Sequence, residues 1–397
     1  MSTDSANPTP AAPARRVFVS AGEASGDAHA ARLLRALPPE IRDTTVFYGI
    51  GGDALRAAGC DTSIADARDM AVVGLWEPLV RLPHFLRIYR RARRALETDR
   101  PAALLTVDYP GFNLRLAAAA HRLGIPVCHY ICPQVWAWNR SRIPKIARIV
   151  DLLMVLFPFE VGVFASTPHR TDFVGHPLVA SSARTLAAPP PADLPWPGPA
   201  SSRVAILPGS RAAELRRILP AMLDAAQALL ARHPGATFLV AAATDRDADH
   251  VRAVLSRRSA ALQAATAVAV GCMRDVVRTA RCAMVCSGTA TVETALLRCP
   301  HILVYKTSPF TYLAGRLVIR IPWLGMVNII ANRTVCPEFI QRDARPAPMA
   351  DALLALLDDT PARTAQLSAL SEVSSALAAP STSSPSQTFA SFLSALP

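Results

Sequence analysis

The chain has 397 residues, of which 51% are hydrophobic and 18% charged; that excludes a disordered or fibrous polymer and supplies the cores of about two ordinary domains. A net charge of +12 suits an anionic partner: a phosphorylated substrate, an acidic membrane surface or nucleic acid. No uncharged apolar run of roughly 18 residues or more occurs, so no transmembrane helix is expected.

Residues 1–16, MSTDSANPTPAAPARR, lack the apolar stretch of a signal peptide and read as a disordered leader ending in Arg15 and Arg16. A cytoplasmic location follows, where the eight cysteines are expected as thiols. Cys128/Cys132 and Cys282/Cys286 fall in apolar runs, and buried structural thiols explain them better than zinc ligation.

From residue 17 apolar runs alternate with helical patterns. VFVS, TVFYGI, ALLTVD, PVCHYI and LLMVLF read as strands, with helical stretches such as AHAARLLRAL and NLRLAAAAHRLG between them. Strands buried on both faces give continuous apolar runs, so residues 17–181 are expected to form a parallel sheet covered by helices. The proline-rich stretch 182–203 reads as a linker. The alternation then restarts over 204–345 with VAILPGS, a helix from Arg211 to about His233, ATFLVAAA, AVAVG, CAMVCSG, a helix after Thr289, and HILVYK. The Ser/Pro-rich residues 378–397 read as a mobile tail. The fold class is therefore α/β, two doubly wound Rossmann-like parallel-sheet domains facing a cleft, with ligands at the carboxyl ends of the strands.

Five segments carry chemistry. In the first, Gly22, Glu23, Ser25, Gly26 and Asp27 form the turn from VFVS into a helix. Its carboxylates repel a pyrophosphate and suit sugar hydroxyls or proton abstraction; a plain turn capped by Asp27 is the alternative. Later, Gly209, Ser210 and Arg211 follow VAIL in a strand, glycine loop and helix start that can hold a diphosphate, with Arg211 as a fork; a surface Arg at a capped helix is the alternative. Ser287, Gly288 and Thr289 follow CAMVC and open another helix, and Glu293 one turn on could accept ribose hydroxyls or simply favour the helix start. Residues 75–100 interleave Arg87, Arg90, Arg91 and Arg94 with Trp76 and Phe85, as in a membrane-interface helix; a core-facing amphipathic helix is the alternative. Asp108 ends ALLTVD, where such folds place their chemistry, or is a cap. Trp136 and Trp138 could wall a sugar or acyl site, or be core. No metal-ligand cluster is visible.

AGEASGD, IGGDALRAAG, MAVVGLWEPL, DYPGFNLRLA, HYICPQVWAWNRSRIPKI, LFPFE, FVGHPL, LPGSRAAEL, SGTATVE and GMVNIIANR occur in an order that closely resembles the lipid-A-disaccharide synthase family. The resemblance implies a GT-B fold and a cofactor-independent inverting transfer of 2,3-diacylglucosamine from UDP-2,3-diacylglucosamine. The acceptor is the 6-hydroxyl of 2,3-diacylglucosamine 1-phosphate, and the products are the β-1′,6-linked lipid A disaccharide 1-phosphate and UDP. It also implies peripheral attachment to the inner face of the cytoplasmic membrane, UDP-sugar contacts around Ser287, Glu293 and Asn328, and acceptor binding by the first domain. The terminal helices of residues 346–377 are expected to cross back onto that domain. Many relatives carry an acid in the loop after Asp108, where this chain has Gly111, which leaves Asp108 and Glu23 as candidate bases. Oligomerisation is left open. Another GT-B enzyme on a UDP-N-acetyl sugar fits the motif wording less well. A non-catalytic lipid-binding protein leaves LPGSR and SGTATVE unexplained. Nucleic-acid binding lacks a recognition motif, and a dehydrogenase lacks GxGxxG after the first strand.

Overall fold

The computed structural model describes residues 15–70, 82–189, 191, 193–309, 312–313, 315, 321–379, 381 and 383–396. The chain divides into two compact units, Met1–Gly175 with Pro380–Pro397, and His176–Ala379.

The first unit is built on seven strands: β1 (Arg15–Ala21), β2 (Thr45–Gly51), β3 (Asp61–Asp66), β4 (Ala103–Val107), β5 (Val127–Tyr130), β6 (Leu152–Val155) and β7 (Arg170–Phe173). All pairs are parallel, in the order β3-β2-β1-β4-β5-β6-β7. Successive residues Val17, Phe18 and Val19 are all fully buried. Both faces of the sheet are therefore covered, and this is why its central strands read as unbroken apolar runs. Ala21 pairs with Val107 and Val107 with Tyr130, so the loops that follow β1, β4 and β5 open along one edge.

The second unit repeats the plan with six strands: β8 (Arg203–Leu207), β9 (Thr237–Ala242), β10 (Thr266–Val270), β11 (Cys282–Cys286), β12 (His301–Tyr305) and β13 (Glu338–Ile340), in the order β10-β9-β8-β11-β12-β13. The helix Ala212–Arg232 lays Leu215, Ile218, Leu219, Met222 and Leu229 into its core.

Several expected boundaries move. The leader stops short of Arg15 and Arg16, which belong to β1: Arg15 donates to the Leu393 carbonyl at 2.8 Å, and Arg16 lies 4.4 Å over the Tyr48 ring. Residues 1–14 lie outside the described residues. The linker starts with a helix, Pro177–Ala187, fastened to its own unit by Arg278, which donates to the Thr185 and Ala188 carbonyls. Trp196 continues the attachment, donating to Thr279 at 3.0 Å beneath the Arg203 guanidinium. The proline-rich stretch is thus packed against the second unit, and the boundary falls at Gly175.

The helices Pro346–Leu357 and Pro361–Leu377 do not cross back. Met349, Leu353, Leu356 and Leu357 complete the second core, and Gln366 brackets the His301 backbone at 2.9 and 3.1 Å. The residues read as a mobile tail make the crossing instead, as the helix Pro385–Ser394 of the first unit. A capping box of Ser384 and Gln387 starts it, and Phe389 and Leu393 are fully buried. Each such side chain contributes roughly 1.5–3 kcal/mol toward docking this ten-residue helix.

The basic segment also changes meaning. Its described part is the helix Leu82–Asp99; Trp76 lies outside the described residues. Ile88, Ala92, Ala95 and Leu96 are buried in the first core, with Phe85 and Tyr89 packed against it. Most of the apolar stripe, Phe85 included, is therefore core rather than a surface for lipid, and what the helix exposes is Arg87, Arg90, Arg91, Arg93 and Arg94 together with Leu86 and Glu97. Among the described residues, no helix is long and apolar enough to cross a membrane.

Candidate active site

In the first unit two turns meet on adjacent strands. Gly22 and Glu23 follow β1, and Asp108 and Tyr109 follow β4. A side chain at Gly22 would place its Cβ 2.7 Å from the Tyr109 ring, so glycine is needed for the turns to touch. Asp108 and Tyr109 both have φ of +49°, a left-handed conformation that costs non-glycine residues about 1–3 kcal/mol each and collects at functional sites. Asp108 is half-buried, and burial pushes its carboxyl above the ordinary range although the Tyr109 N–H pulls the other way. The Tyr109 phenol is raised chiefly by burial and secondarily by the Glu23 charge, which stands nearby. Glu23 itself is exposed at the helix start, as is Ser25.

Asp27 departs from its expected role in acceptor binding. It is 5% exposed, and its carboxylate accepts from the N–H groups of Gly52 at 2.7 Å, Ala54 at 3.0 Å and Leu55 at 3.2 Å. It ties the helix Ala24–Arg35 to the turn after β2 and has little capacity left for a ligand. Gly26 is buried, and a Cβ there would make an ordinary contact, 3.4 Å from the Val107 carbonyl.

Beyond β5 and β6 lies an aromatic group. Trp136 is 4% exposed, meets Phe159 edge-on at 4.9 Å, and donates to Glu160 at 3.0 Å. The side chain of Trp138 lies outside the described residues. Glu160 is 2% exposed and also accepts from the Phe157 N–H at 3.1 Å. Burial outweighs these donors and pushes its carboxyl up to about 7.

In the second unit the loops after β8 and β11 are neighbours, since Leu207 pairs with Val285. Gly209 has φ of +99°, and a Cβ there would stand 2.8 Å from Glu214 and 3.3 Å from the Cys286 sulfur. Arg211, rather than Ser210, occupies the N-cap position; its side chain is 82% exposed and reaches Glu214 at 2.8 Å. That pairing raises its already high pKa, so the guanidinium is a fixed charge at the sheet edge. Gly288, with φ +148° and ψ −161°, starts the helix Thr289–Leu296 with no side-chain cap. This backbone conformation is essentially confined to glycine, and it leaves first-turn N–H groups for an anion. Glu293 lies one turn further, 8% exposed at its side chain, with one oxygen on Arg274.

Asn328 does not take part. Its amide donates to the Cys336 carbonyl and to Glu338, both at 2.8 Å, and its oxygen accepts from the Val335 and Cys336 N–H groups, both at 2.8 Å. All four hydrogen-bonding positions are spent on the segment leading into β13, which makes this residue a loop fastener and not a UDP-sugar ligand.

Four residues of consequence escaped the sequence reading. Glu214 carried a signal, an acid three residues after Arg211 in the first turn of a helix, where it accepts from the Arg211 N–H and guanidinium. Tyr109 and Asn113 stood in a motif with no visible task, and Arg274 has no local signal because it meets Glu293 only through packing. No group of three or more His, Cys, Asp or Glu side chains able to hold a metal occurs among the described residues.

Two parallel α/β units with glycine turns at the carboxyl ends of their first strands define a GT-B glycosyltransferase-like fold. The glycotransferase of kitacinnamycin superposes with a TM-score of 0.61 over 97% of this chain and 99% of its own, at 14% identity. A putative UDP-N-acetylglucosamine 2-epimerase from Listeria monocytogenes gives 0.56 over 90% and 91%, at 12% identity. These likenesses establish the fold alone. The sequence goes further: the family model described as lipid-A-disaccharide synthetase matches residues 17–392. The lipid-A-disaccharide synthase of Anaeromyxobacter dehalogenans (strain 2CP-1 / ATCC BAA-258) is 41% identical over 378 residues, 92% of this chain and 94% of that protein. That of Syntrophus aciditrophicus (strain SB) is 40% identical over 367 residues, with the same coverage. The chain belongs to the lipid-A-disaccharide synthase family and is a glycosyltransferase of lipid A biosynthesis.

Proposed function

We propose that this chain transfers 2,3-diacylglucosamine from its UDP conjugate to the 6-hydroxyl of 2,3-diacylglucosamine 1-phosphate in one inverting displacement, with Asp108 as the base. The observation that carries the reading is the strained Asp108–Tyr109 turn beside Glu23 at the carboxyl edge of β1 and β4. The acceptor hydroxyl loses its proton to Asp108 as its oxygen bonds to the anomeric carbon, and the bond from that carbon to the diphosphate oxygen breaks. Burial makes Asp108 a stronger base than an ordinary carboxylate, and activity is expected to fall as pH drops through its raised pKa. Glu23 orients a sugar hydroxyl. The departing UDP places its diphosphate charge on Arg211 and on the N–H groups after Gly209 and Gly288, and Ser287 and Thr289 line that loop. Glu293 receives the ribose.

The same proposal includes an anionic membrane surface as partner. Beside the exposed arginines of the helix Leu82–Asp99 stands the helix Pro110–Arg122 with exposed Arg115 and Arg122, and next to that Ile143–Ile149 with exposed Lys145 and Arg148. Residues 110–150 contain no Asp or Glu. A face in which arginines and lysines outnumber Glu97 and Asp99 is attracted to acidic headgroups without an inserted apolar stripe.

Mass spectrometry of the products formed from both acylated substrates tests the reaction, and Asp108→Asn tests the site. The variant is expected to bind UDP normally and to lose on the order of 10² to 10⁴ in turnover, whereas Glu23→Gln raises the acceptor KM more than it lowers turnover. The reverse pattern exchanges their roles.

A further inference from the structure

One side chain holds the turn that carries Asp108. Asn113 sits in the first turn of the helix Pro110–Arg122 and has no exposed surface. Its amide nitrogen lies 2.7 Å from the Asp108 carbonyl, 3.0 Å from that of Val107 and 3.3 Å from that of Ser20. Its oxygen accepts from the Ser20 hydroxyl at 2.7 Å. An amide has two N–H donors, so three carbonyls share them in a bifurcated arrangement. These bonds gather the end of β1, the end of β4 and the turn itself onto one group.

The turn needs such a clamp. Neither residue in it is a glycine, yet both hold φ of +49°. The other fastenings act elsewhere on the turn: the Asp108 N–H donates to the Tyr130 carbonyl at 2.9 Å, the Tyr109 hydroxyl to the Met70 carbonyl at 3.0 Å, and the Phe112 and Asn113 N–H groups to the Tyr109 carbonyl at 3.2 and 3.0 Å. Among these bonds, only those of Asn113 reach the carbonyl of Asp108, the group whose direction changes when the left-handed turn relaxes. Relaxation to negative φ would swing the Asp108 carboxyl away from the sheet edge.

From this geometry we infer that Asn113 is a positioning residue of the transfer reaction, acting through Asp108 by holding the left-handed turn. The inference rests on the reading of Asp108 as base. Asn113 is sealed from solvent, out of reach of a bound sugar, so its effect on rate passes through the carboxylate it aims.

A double-mutant cycle on the full chain tests it, with wild type, Asp108→Asn, Asn113→Ala and the double variant. Turnover is read as UDP release from the two acylated glucosamine substrates, and UDP affinity by calorimetry. Asp108→Asn loses on the order of 10² to 10⁴. Asn113→Ala loses on the order of 10², the scale of a reacting group misplaced by about 1 Å, with UDP affinity unchanged. The double variant is expected to be no more than about threefold slower than Asp108→Asn alone, because a base already removed cannot be misaimed. Ser20→Ala, which deletes a single hydroxyl, gives a smaller loss of the same non-additive kind and serves if Asn113→Ala does not fold. Losses that multiply, or normal turnover in the folded Asn113 and Ser20 variants, overturn the positioning role and leave Asp108 as base. Normal turnover in Asp108→Asn removes the base and this inference together.

Discussion

Glu160 offers a test in which the structure fixes both sign and size. Its carboxyl is pushed up to about 7 in the folded protein from an ordinary 4.5, because burial outweighs the N–H groups of Trp136, Phe157 and Leu156. The folded state therefore binds the Glu160 proton more tightly than the unfolded chain does. The stability this contributes is complete below the unfolded value, near 4.5, and is lost as pH rises through about 7. With one pKa unit worth about 1.4 kcal/mol, the loss saturates at about 3 kcal/mol and amounts to about 2 kcal/mol between about pH 5.5 and about pH 8.5. Glu160→Gln removes the titration. The amide has one acceptor oxygen where the carboxylate offers two, so the variant carries a constant penalty, and only the slope with pH is diagnostic. Urea unfolding of both proteins at the two pH values, followed by tryptophan fluorescence, isolates that slope, since every other titrating group cancels in the comparison. Wild type should lose about 2 kcal/mol more than Glu160→Gln over this interval. Parallel pH dependences would falsify the claim that burial governs this carboxyl.

Arg211→Ala should lower turnover on the order of a hundredfold, the scale of one lost charge-stabilising donor, and Arg211→Lys should restore it only partly because the fork is absent; near-normal kcat and UDP affinity would move the diphosphate elsewhere. Asn328→Ala should destabilise by about 2–4 kcal/mol, since the Val335 and Cys336 N–H groups lose their acceptor. UDP affinity in the folded Asn328 variant should stay near wild type, and a selective loss of affinity with normal stability would return this residue to the nucleotide site. Replacing Arg87, Arg90, Arg91 and Arg94 together by Gln should weaken co-sedimentation with anionic vesicles by about 1 kcal/mol per charge, and unchanged binding would show that another surface meets the lipid.

The interior strands were legible because a sheet covered on both faces needs unbroken apolar runs, and VFVS, ALLTVD and CAMVC are such runs. The strands that went unread, β3, β7 and β13, all lie at sheet edges. An edge strand is half solvated, and the sequences DTSIAD and RTDF alternate or mix polarity accordingly. The final helix was hidden for a different reason. Its Ser/Pro-rich approach lowers the average hydropathy of the segment, yet the local signals were there: Ser384 and Gln387 at capping-box spacing, Pro385 at the first helical position, and Phe389, Phe392 and Leu393 on one helical face. The basic segment shows the opposite error. A stripe of apolar residues with arginines opposite is the same pattern whether the stripe meets lipid or core, and only tertiary packing separates the two.

The acids of the first unit show most clearly what folding adds to a motif. Glu23, Asp27, Asp108 and Glu160 are equivalent as carboxylates in sequence, and each environment leaves a different chemistry open. Asp27 is committed to three backbone N–H groups, which leaves its carboxylate little room for a sugar hydroxyl. Glu160 has its carboxyl pushed up to about 7 but is shut behind Trp136 and Phe157 at 2% exposure, where no sugar hydroxyl can reach it. Glu23 is accessible but stands on an exposed helix start. Asp108 joins partial access to raised basicity, and it does so on a turn that two neighbouring strands and a buried amide keep out of its relaxed conformation. A general base improves as its pKa rises toward the working pH, provided that it can still touch the proton. Burial supplies the first condition and the left-handed turn the second, and the two conditions coincide at the end of β4.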